Sequence, residues 1–383
     1  MKALLRELEE QLEEIRAQKL YRRLTEPQGL DFCSNDYLGF SQDPNFRAAI
    51  LEKLSQTTEL HPLSSPASRL LRGNTSQHQA LEHRLALFKG TEATLLFPTG
   101  YQTNLGVLTT LIGPQDRVLS DSQNHASIID GLRLSGCHKI IFPHLTVRAV
   151  EDALSQSHPE GKTFLVTESL FSMDGDIAPL ESYAELVERY GAYLIVDDAH
   201  ATGIFGDKRG SGLTEKFHIE KRAIAIISTF GKALGLFGAF VAGPKVVIDS
   251  LVNRSRSFIF TTAVPPLLLW GIEAALDLLS ARPERREQVC FLADRLRHQL
   301  KEGGLDTLHS SGPIVPVLLG ESERALSVAE RLQKQGLDVR AIRPPTVAPG
   351  TARLRICVHA NHTEKEIDQL AEALVGAVKI TNP

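Results

Sequence analysis

What the chain lacks narrows its chemistry before any motif is read. Its four cysteines, Cys33, Cys137, Cys290 and Cys357, stand far apart with no CxxC pair. That spacing suits neither a structural zinc site nor a disulfide framework, so they read as small core residues and no metal is expected. Net charge is only −4, with 42 Lys and Arg against 46 Asp and Glu, and no basic run gathers on one segment. The electrostatic footprint of a nucleic-acid or anionic-membrane partner is therefore missing. No apolar run approaches the roughly 18–20 residues that span a bilayer. The charged start Met1-Lys2-Ala3-Leu4-Leu5-Arg6-Glu7 is not a secretory signal, so the expected location is cytoplasmic. Internal repeats and low-complexity tracts are absent too.

The 383 residues, 42% of them hydrophobic, suffice for two domains with a large core. Residues 2–24 carry Leu4, Leu5, Leu8, Leu12, Ile15 and Leu20 among charges, an amphipathic helix that needs a surface to lie on. From about residue 90 to 245, apolar runs at 93–97, 117–120, 139–142, 163–167, 192–196, 223–227 and 239–242 alternate with amphipathic segments. Such alternation predicts an α/β fold, a mostly parallel central sheet with helices on both faces. After Pro265-Pro266 come two long helical stretches, then short strands at 314–319, 337–342 and 353–358 with helices at 322–335 and 363–378. These make a smaller C-terminal α+β domain. The expected division is an N-terminal segment 1–45, a catalytic domain 46–284 and a C-terminal domain 285–383.

Two strand ends carry the chemistry. The run Ala223-Ile224-Ala225-Ile226-Ile227 delivers Ser228-Thr229-Phe230-Gly231-Lys232-Ala233-Leu234-Gly235, and the strand 192–196 delivers Asp197-Asp198-Ala199-His200. A lysine between small residues is ordinarily a solvated loop residue. At the mouth of a buried parallel sheet, where open α/β sheets bind ligands, it becomes a candidate for a Schiff base. A buried Asp197 needs a cationic partner, and a protonated pyridine nitrogen is one. Together they are what a protein must supply for pyridoxal phosphate chemistry. Phe97-Pro98-Thr99-Gly100-Tyr101 leaves another strand and opens a helix, a place for an anion such as a phosphate, with Tyr101 offering a ring to a flat cofactor. His125, in Asp121-Ser122-Gln123-Asn124-His125, reads either as a ring-stacking or donor residue or as a helix cap. Ser172 is a candidate hydroxyl donor. His200 either reaches the cofactor's phenolic oxygen or is a satisfied core histidine.

Seven ordered strings then carry a family resemblance: 34–39 (SNDYLG), 124–131 (NHASIIDG), 171–176 (FSMDGD), 197–200 (DDAH), 229–235 (TFGKALG), 258–262 (FIFTT) and 343–347 (RPPTV). Over essentially its whole length the chain resembles the α-oxoamine synthases, fold-type I pyridoxal phosphate enzymes that join an amino acid to an acyl thioester with loss of carbon dioxide. The resemblance implies that Lys232 forms the Schiff base, Asp197 pairs with the pyridinium nitrogen, His200 meets the phenolic oxygen and His125 stacks over the ring. It implies further cofactor contacts from Gly100, Tyr101, Ser172 and Thr229. It assigns the amino-acid carboxylate to Arg355, and further substrate contacts to Asn35, His125, Thr346 and Arg22 or Arg23. Within the family the likeness is greatest to a member using L-alanine and a pimeloyl thioester on coenzyme A or acyl carrier protein. Other members use glycine or serine. A homodimer with active sites at the subunit interface, reached by Thr261 or Thr262 of the partner subunit, is likewise implied. Two stretches depart from the family: Leu63-Ser64-Ser65-Pro66-Ala67 where glycines are usual, and Leu234-Gly235-Leu236 where a smaller residue is usual.

Overall fold

The central apolar runs form strands because they are buried on both faces, whereas the edge strand at 138–142 is mostly exposed. In a computed structural model, which describes residues 1–18, 20–55, 63–158 and 160–381, the strands are β1 (Leu30–Asp31), β2 (Ala93–Phe97), β3 (Arg117–Asp121), β4 (His138–Phe142), β5 (Thr163–Glu168), β6 (Tyr193–Asp197), β7 (Ala223–Thr229), β8 (Ala239–Gly243), β9 (Ile314–Gly320), β10 (Leu337–Asp338), β11 (Arg340–Ile342) and β12 (Ala352–Cys357). Side chains alternate between two cores. Leu95, Val118, Phe164, Val166, Ile195 and Ile227 fill one, while their neighbours Leu96, Leu119, Leu165, Val196 and Ile226 fill the other. A period of two with apolar residues at both parities reads in sequence as a continuous hydrophobic run.

Strands β2 to β8 make one seven-stranded sheet in the order β2-β8-β7-β6-β5-β3-β4. Only β8 runs against its neighbours; the other adjacent pairs are parallel. From β3 the chain steps outward to β4 and then returns to β5 on the other side, so the order reverses between β3 and β5. A ligand crevice is expected at the carboxyl ends of strands on either side of such a reversal. The mostly parallel α/β expectation holds.

Two expected boundaries do not. The first helix ends at Ala17 rather than residue 24, where Tyr21 folds back so that the Arg16 guanidinium lies 4.5 Å from its ring centre. No residue of that helix is buried, so no described residue of this chain supplies the surface its apolar row calls for. The stretch 337–342 is two strands in two sheets. β10 pairs in parallel with β1 from the N-terminal segment, whereas β11 joins β12 and β9 in an antiparallel sheet. The larger residues that depart from the family pattern are accommodated: Leu234 is buried, and Leu236 lies against Gly271, where an added Cβ would sit 3.2 Å from both leucine methyls. Cys137 and Cys357 are buried, Cys33 and Cys290 half-buried, and all four are free thiols.

A buried ion pair fastens the sheet's active edge. Lys89 Nζ, at the end of helix Ser76–Lys89, lies 2.8 Å from Asp198 Oδ2, and both side chains are fully enclosed. It also donates to Thr202 Oγ1 at 3.2 Å and to the Ser211 carbonyl. Removing one partner strands the other charge, so Lys89→Met should cost about 3–5 kcal/mol in urea denaturation. A loss below about 1 kcal/mol would mean the pair behaves like a surface salt bridge.

Candidate active site

Each functional side chain comes from the carboxyl end of a strand or the turn after it. Gly100 and Tyr101 begin the helix after β2, capped by Thr99 Oγ1, which accepts from the Gln102 amide at 3.2 Å. His125 precedes the helix after β3, Glu168 ends β5, Asp197 ends β6, and Lys232 follows β7. With Asn104, Ser127, Ala199, His200, Thr229 and Gly231 they line one cavity of about 210 Å³. Of the cofactor contacts expected from the sequence, only Ser172 is outside this lining. It is buried nearby and its carbonyl accepts from Arg355 Nε.

Asp197 is buried and accepts from Asn104 Nδ2 at 2.7 Å and from the Ala199 amide at 3.0 Å. Burial pulls the Lys232 ammonium below the usual lysine range, and Arg355 adds to this; Asp197 and Glu168 oppose it. Glu168 is the counterpart of Asp197 on the adjacent strand, directly in register with it. Burial, reinforced by the Asp197 charge, raises its carboxyl to about 8, and its Oε1 has no hydrogen-bond partner. His200 Nδ1 is 2.7 Å from the Tyr37 hydroxyl. Burial first, then Lys232, Arg355 and His125, hold its imidazole neutral, well below the usual histidine range. His125 both lines the cavity and caps its helix, its Nδ1 accepting the Ser127 amide at 3.2 Å. The two readings of that residue are compatible. Thr229 Oγ1 donates to the Gly238 carbonyl at 2.9 Å and accepts from the Gly231 amide at 3.2 Å.

Arg355, on β12, reaches the same region from the C-terminal sheet. Its Nη2 donates to Asn35 Oδ1 at 2.9 Å, and the Tyr37 hydroxyl donates to the same oxygen at 3.1 Å. Arg22 and Thr346 instead line a separate cavity of about 140 Å³ with Leu20 and Arg343, whereas Arg23 lies over the Tyr21 ring. Thr261 Oγ1 sits 3.4 Å from Gln102 Nε2 within the same chain.

Behind the site, His144 bridges Asp121 (Nδ1 to Oδ1, 2.7 Å) and Asp176 (Nε2 to Oδ2, 2.9 Å), while neighbouring Asp174 pairs with Arg353. His144, Asp174 and Asp176 have the composition of a metal site. Both imidazole nitrogens are already committed to carboxylates, however, so the histidine serves as a cation between two acids. Burial lowers its pKa, but the two aspartates outweigh this and carry it up to about 9.

The residue set fits pyridoxal phosphate. Lys232 supplies a primary amine and Asp197 an enclosed carboxylate beside it. Gly100 starts a helix, and an added Cβ there would meet nothing within 4 Å, leaving the helix N-terminus open to a phosphate. Glu168 keeps an unpartnered oxygen. The sequence reading missed Asn104, Ser127, Tyr37 and Glu168 as site residues. Asn104 was findable as the residue one turn beyond Gly100 on the same helix face, and Glu168 as a carboxylate ending an apolar run just as Asp197 does.

Residues 27–374 match the family model described as aminotransferase class I and II. The chain is 41% identical over 379 residues to the 8-amino-7-oxononanoate synthase of Geobacter sulfurreducens, covering 95% of this chain and 96% of that one. It resembles a solved structure of SPT with its PLP internal aldimine, with TM-score 0.88 and 28% identity over 99% and 98% of the two chains. It also resembles the solved 8-amino-7-oxononanoate synthase of Francisella tularensis, with TM-score 0.78 and 27% identity over 92% and 98%. The fold-type I architecture, the family resemblance and the cofactor expected from the sequence are borne out.

Two pH dependences follow from the geometry. Glu168 has a folded pKa of about 8 against an ordinary 4.5, so its ionisation opposes folding as pH rises through that window. Glu168→Gln should be more stable than the parent above pH 5, with a gain that grows to about pH 8, measured by denaturation across pH. A gain that does not vary with pH would contradict this. His144 is raised from 6.5 to about 9. Its contribution is complete below pH 6.5 and lost as pH climbs to about 9, on the order of 3 kcal/mol. His144→Gln should remove that alkaline loss, and an unchanged profile would place the bridge elsewhere.

Proposed function

Starting from a chain that belongs to the class I and II aminotransferase family and, within it, to the family of the 8-amino-7-oxononanoate synthases, we propose that it joins L-alanine to a pimeloyl thioester. The alanine Cα–H bond breaks, its proton leaving, and the electron pair forms a C–C bond to the thioester carbonyl carbon. The C–S bond breaks, its electron pair leaving with the sulfur, and the alanine carboxyl departs as carbon dioxide while Cα takes up a proton. The observation that carries the reading is the convergence of Lys232, Asp197 and His125 on one cavity, in a chain 41% identical to a relative of that name.

Pyridoxal phosphate, when bound, supplies an electron-withdrawing ring joined to the substrate nitrogen. Lys232 would hold it covalently, and the lysine's lowered pKa leaves more of the free amine that both attachment and removal of the Cα proton require. Asp197 would keep the pyridine nitrogen protonated. Gly100 and Tyr101 would hold the phosphate, and Ser172, Thr229 and His200 the remaining polar groups. Arg355, with Asn35, would take the alanine carboxylate. Arg22 and Thr346 would meet the far end of the acyl chain, a role their shared cavity with Arg343 supports. His125 would donate to the thioester carbonyl.

The reading carries with it a cytoplasmic homodimer. Among the described residues no helix is long and apolar enough to cross a membrane. Exposed Phe260, next to Thr261 at the phosphate end of the cavity, favours cover by a second copy. Acyl carrier protein is an alternative carrier to coenzyme A. The domain division 1–45, 46–284 and 285–383 goes with this assignment, the first segment lying against the third through β1 and β10.

Purified protein loaded with pyridoxal phosphate should release thiol from pimeloyl-CoA with L-alanine and yield a product with the mass of 8-amino-7-oxononanoate. Lys232→Ala should lower steady-state turnover by at least about 10²–10⁴-fold. Silence with L-alanine but turnover with serine and a long-chain acyl-CoA would reassign the substrates, a reading that the 0.88 TM-score to SPT makes the alternative to test.

A further inference from the structure

Behind the candidate ring-stacking histidine runs a hydrogen-bonded chain whose polarity is fixed at both ends. Asn104 Nδ2 is 2.7 Å from Asp197 Oδ2 and 2.9 Å from Ser127 Oγ. Ser127 Oγ is 2.7 Å from His125 Nδ1, which the Ser127 amide also reaches at 3.2 Å. Asn104 and Ser127 are almost wholly buried, so water does not supply alternative partners.

At one end an ionised carboxylate only accepts, so the Asn104 amide must turn its NH₂ toward Asp197. The second N–H of that group then occupies a lone pair of Ser127 Oγ, leaving the hydroxyl proton to point at His125. At the other end a main-chain N–H only donates, so His125 Nδ1 must be the unprotonated nitrogen. Both constraints agree. The neutral imidazole carries its proton on Nε2, the nitrogen not engaged by the cap, and protonating Nδ1 would set N–H against N–H at the Ser127 amide and force the Ser127 hydroxyl to turn its proton away.

We propose that Asn104 and Ser127 are positioning residues that lock His125 in the Nε2–H form and tie that form to the ionised state of Asp197. The carboxylate that would hold the cofactor's ring nitrogen and the imidazole that would lie over the ring are thus set by one network. The charged and titratable groups acting on or touching the histidine are Asp197 from β6, Glu168 from β5, whose carboxyl meets the His125 main chain, Lys232 from the turn after β7, and His200. The Lys232 charge disfavours a second cation at His125 and works with the lock, while Asp197 works against it. The catalytic meaning of the tautomer, a donor aimed at substrate, rests on the function proposed above; the lock itself does not.

The test is the nitrogen-15 spectrum of histidine-labelled protein, with His125 assigned by its loss in His125→Asn. The parent should show His125 neutral with its proton on Nε2 through neutral pH. Ser127→Ala removes one oxygen and keeps the main-chain cap, so it should fold; it should mix the tautomers and raise the His125 midpoint by about one unit. Asn104→Leu should do the same and also shift the pH dependence of the bound cofactor's visible absorbance, which a purely structural role would leave in place. A parent His125 protonated on Nδ1, or an unchanged tautomer and midpoint in Ser127→Ala, would overturn the lock. If the parent shows the expected tautomer but takes up no pyridoxal phosphate, the functional reading fails and the lock stands.

Discussion

The active edge of the sheet depends on one enclosed charge, the carboxylate of Asp198. Besides Lys89 it accepts from Ser169 Oγ at 2.6 Å, Thr214 Oγ1 at 2.8 Å and the Leu213 amide at 3.2 Å. The segment after β5, the end of β6, the helix Ser76–Lys89 and the loop returning through residue 213 are thereby tied to one point. An uncompensated buried carboxylate is costly, so these donors are required rather than incidental. Gly212 shows how closely they gather: its φ is 134°, and an added Cβ would lie 2.0 Å from Asp198 Oδ2. Asp197 lines the cavity while the adjacent Asp198 is used up behind it, so the structural carboxylate fixes the orientation of the chemical one.

Inside the cavity, charge is kept sparse. Asp197 is the acceptor around which donors gather. Glu168, raised to about 8, adds no second full charge at neutral pH, and the two nearby imidazoles are held neutral, as burial beside cations demands. Lys232 is shifted down by the same burial. A site organised this way presents one fixed anion beside an amine whose ammonium form burial disfavours, where an accumulation of acids would favour the ammonium. Of the neighbouring acids, Asp174 pairs with Arg353 and Asp176 with His144, while Asp121, also held by His144, adds to the upward shift of Glu168.

Much of this was legible in the sequence, for identifiable reasons. The strands announced themselves because burial on two faces leaves no polar parity, and Lys232, Asp197 and His125 stood at their ends because parallel sheets deliver side chains there. Ser127 was opaque, and the helix face that marks Asn104 does not reveal its role: a buried polar residue on a helix looks like any other until its partner on another strand is known. The junction of β1 with β10 joins segments about three hundred residues apart, and only the folded chain shows why 337–342 splits. The same pairing brings Leu20 and Arg22 beside Arg343 and Thr346, a meeting no local pattern announces. The exposed first helix lies at the opposite limit. Its amphipathic pattern was plain, and the surface it requires is not on this chain's described residues.

Arg355 joins the C-terminal sheet to the edge of the cavity. Its guanidinium has five N–H groups, and four are engaged: Nε with the Ser172 carbonyl, Nη1 with Cys357 Sγ, and Nη2 with Asn35 Oδ1 and, at 3.5 Å, the Tyr37 hydroxyl. The Nε contact anchors the arginine to the backbone beside the site, whereas the Nη2 contacts are to neutral side chains of the N-terminal segment. A carboxylate arriving there offers charge-assisted bonds about twice as strong as neutral ones. On the proposed function, exchange of Asn35 for the substrate carboxylate would strengthen the Nη2 contacts and leave the Nε anchor in place. Because Tyr37 also bonds His200, any such exchange at Arg355 is felt at the histidine that lines the cofactor cavity. Through Asn35 and Tyr37 the N-terminal segment joins the arginine to the histidine rather than merely covering them.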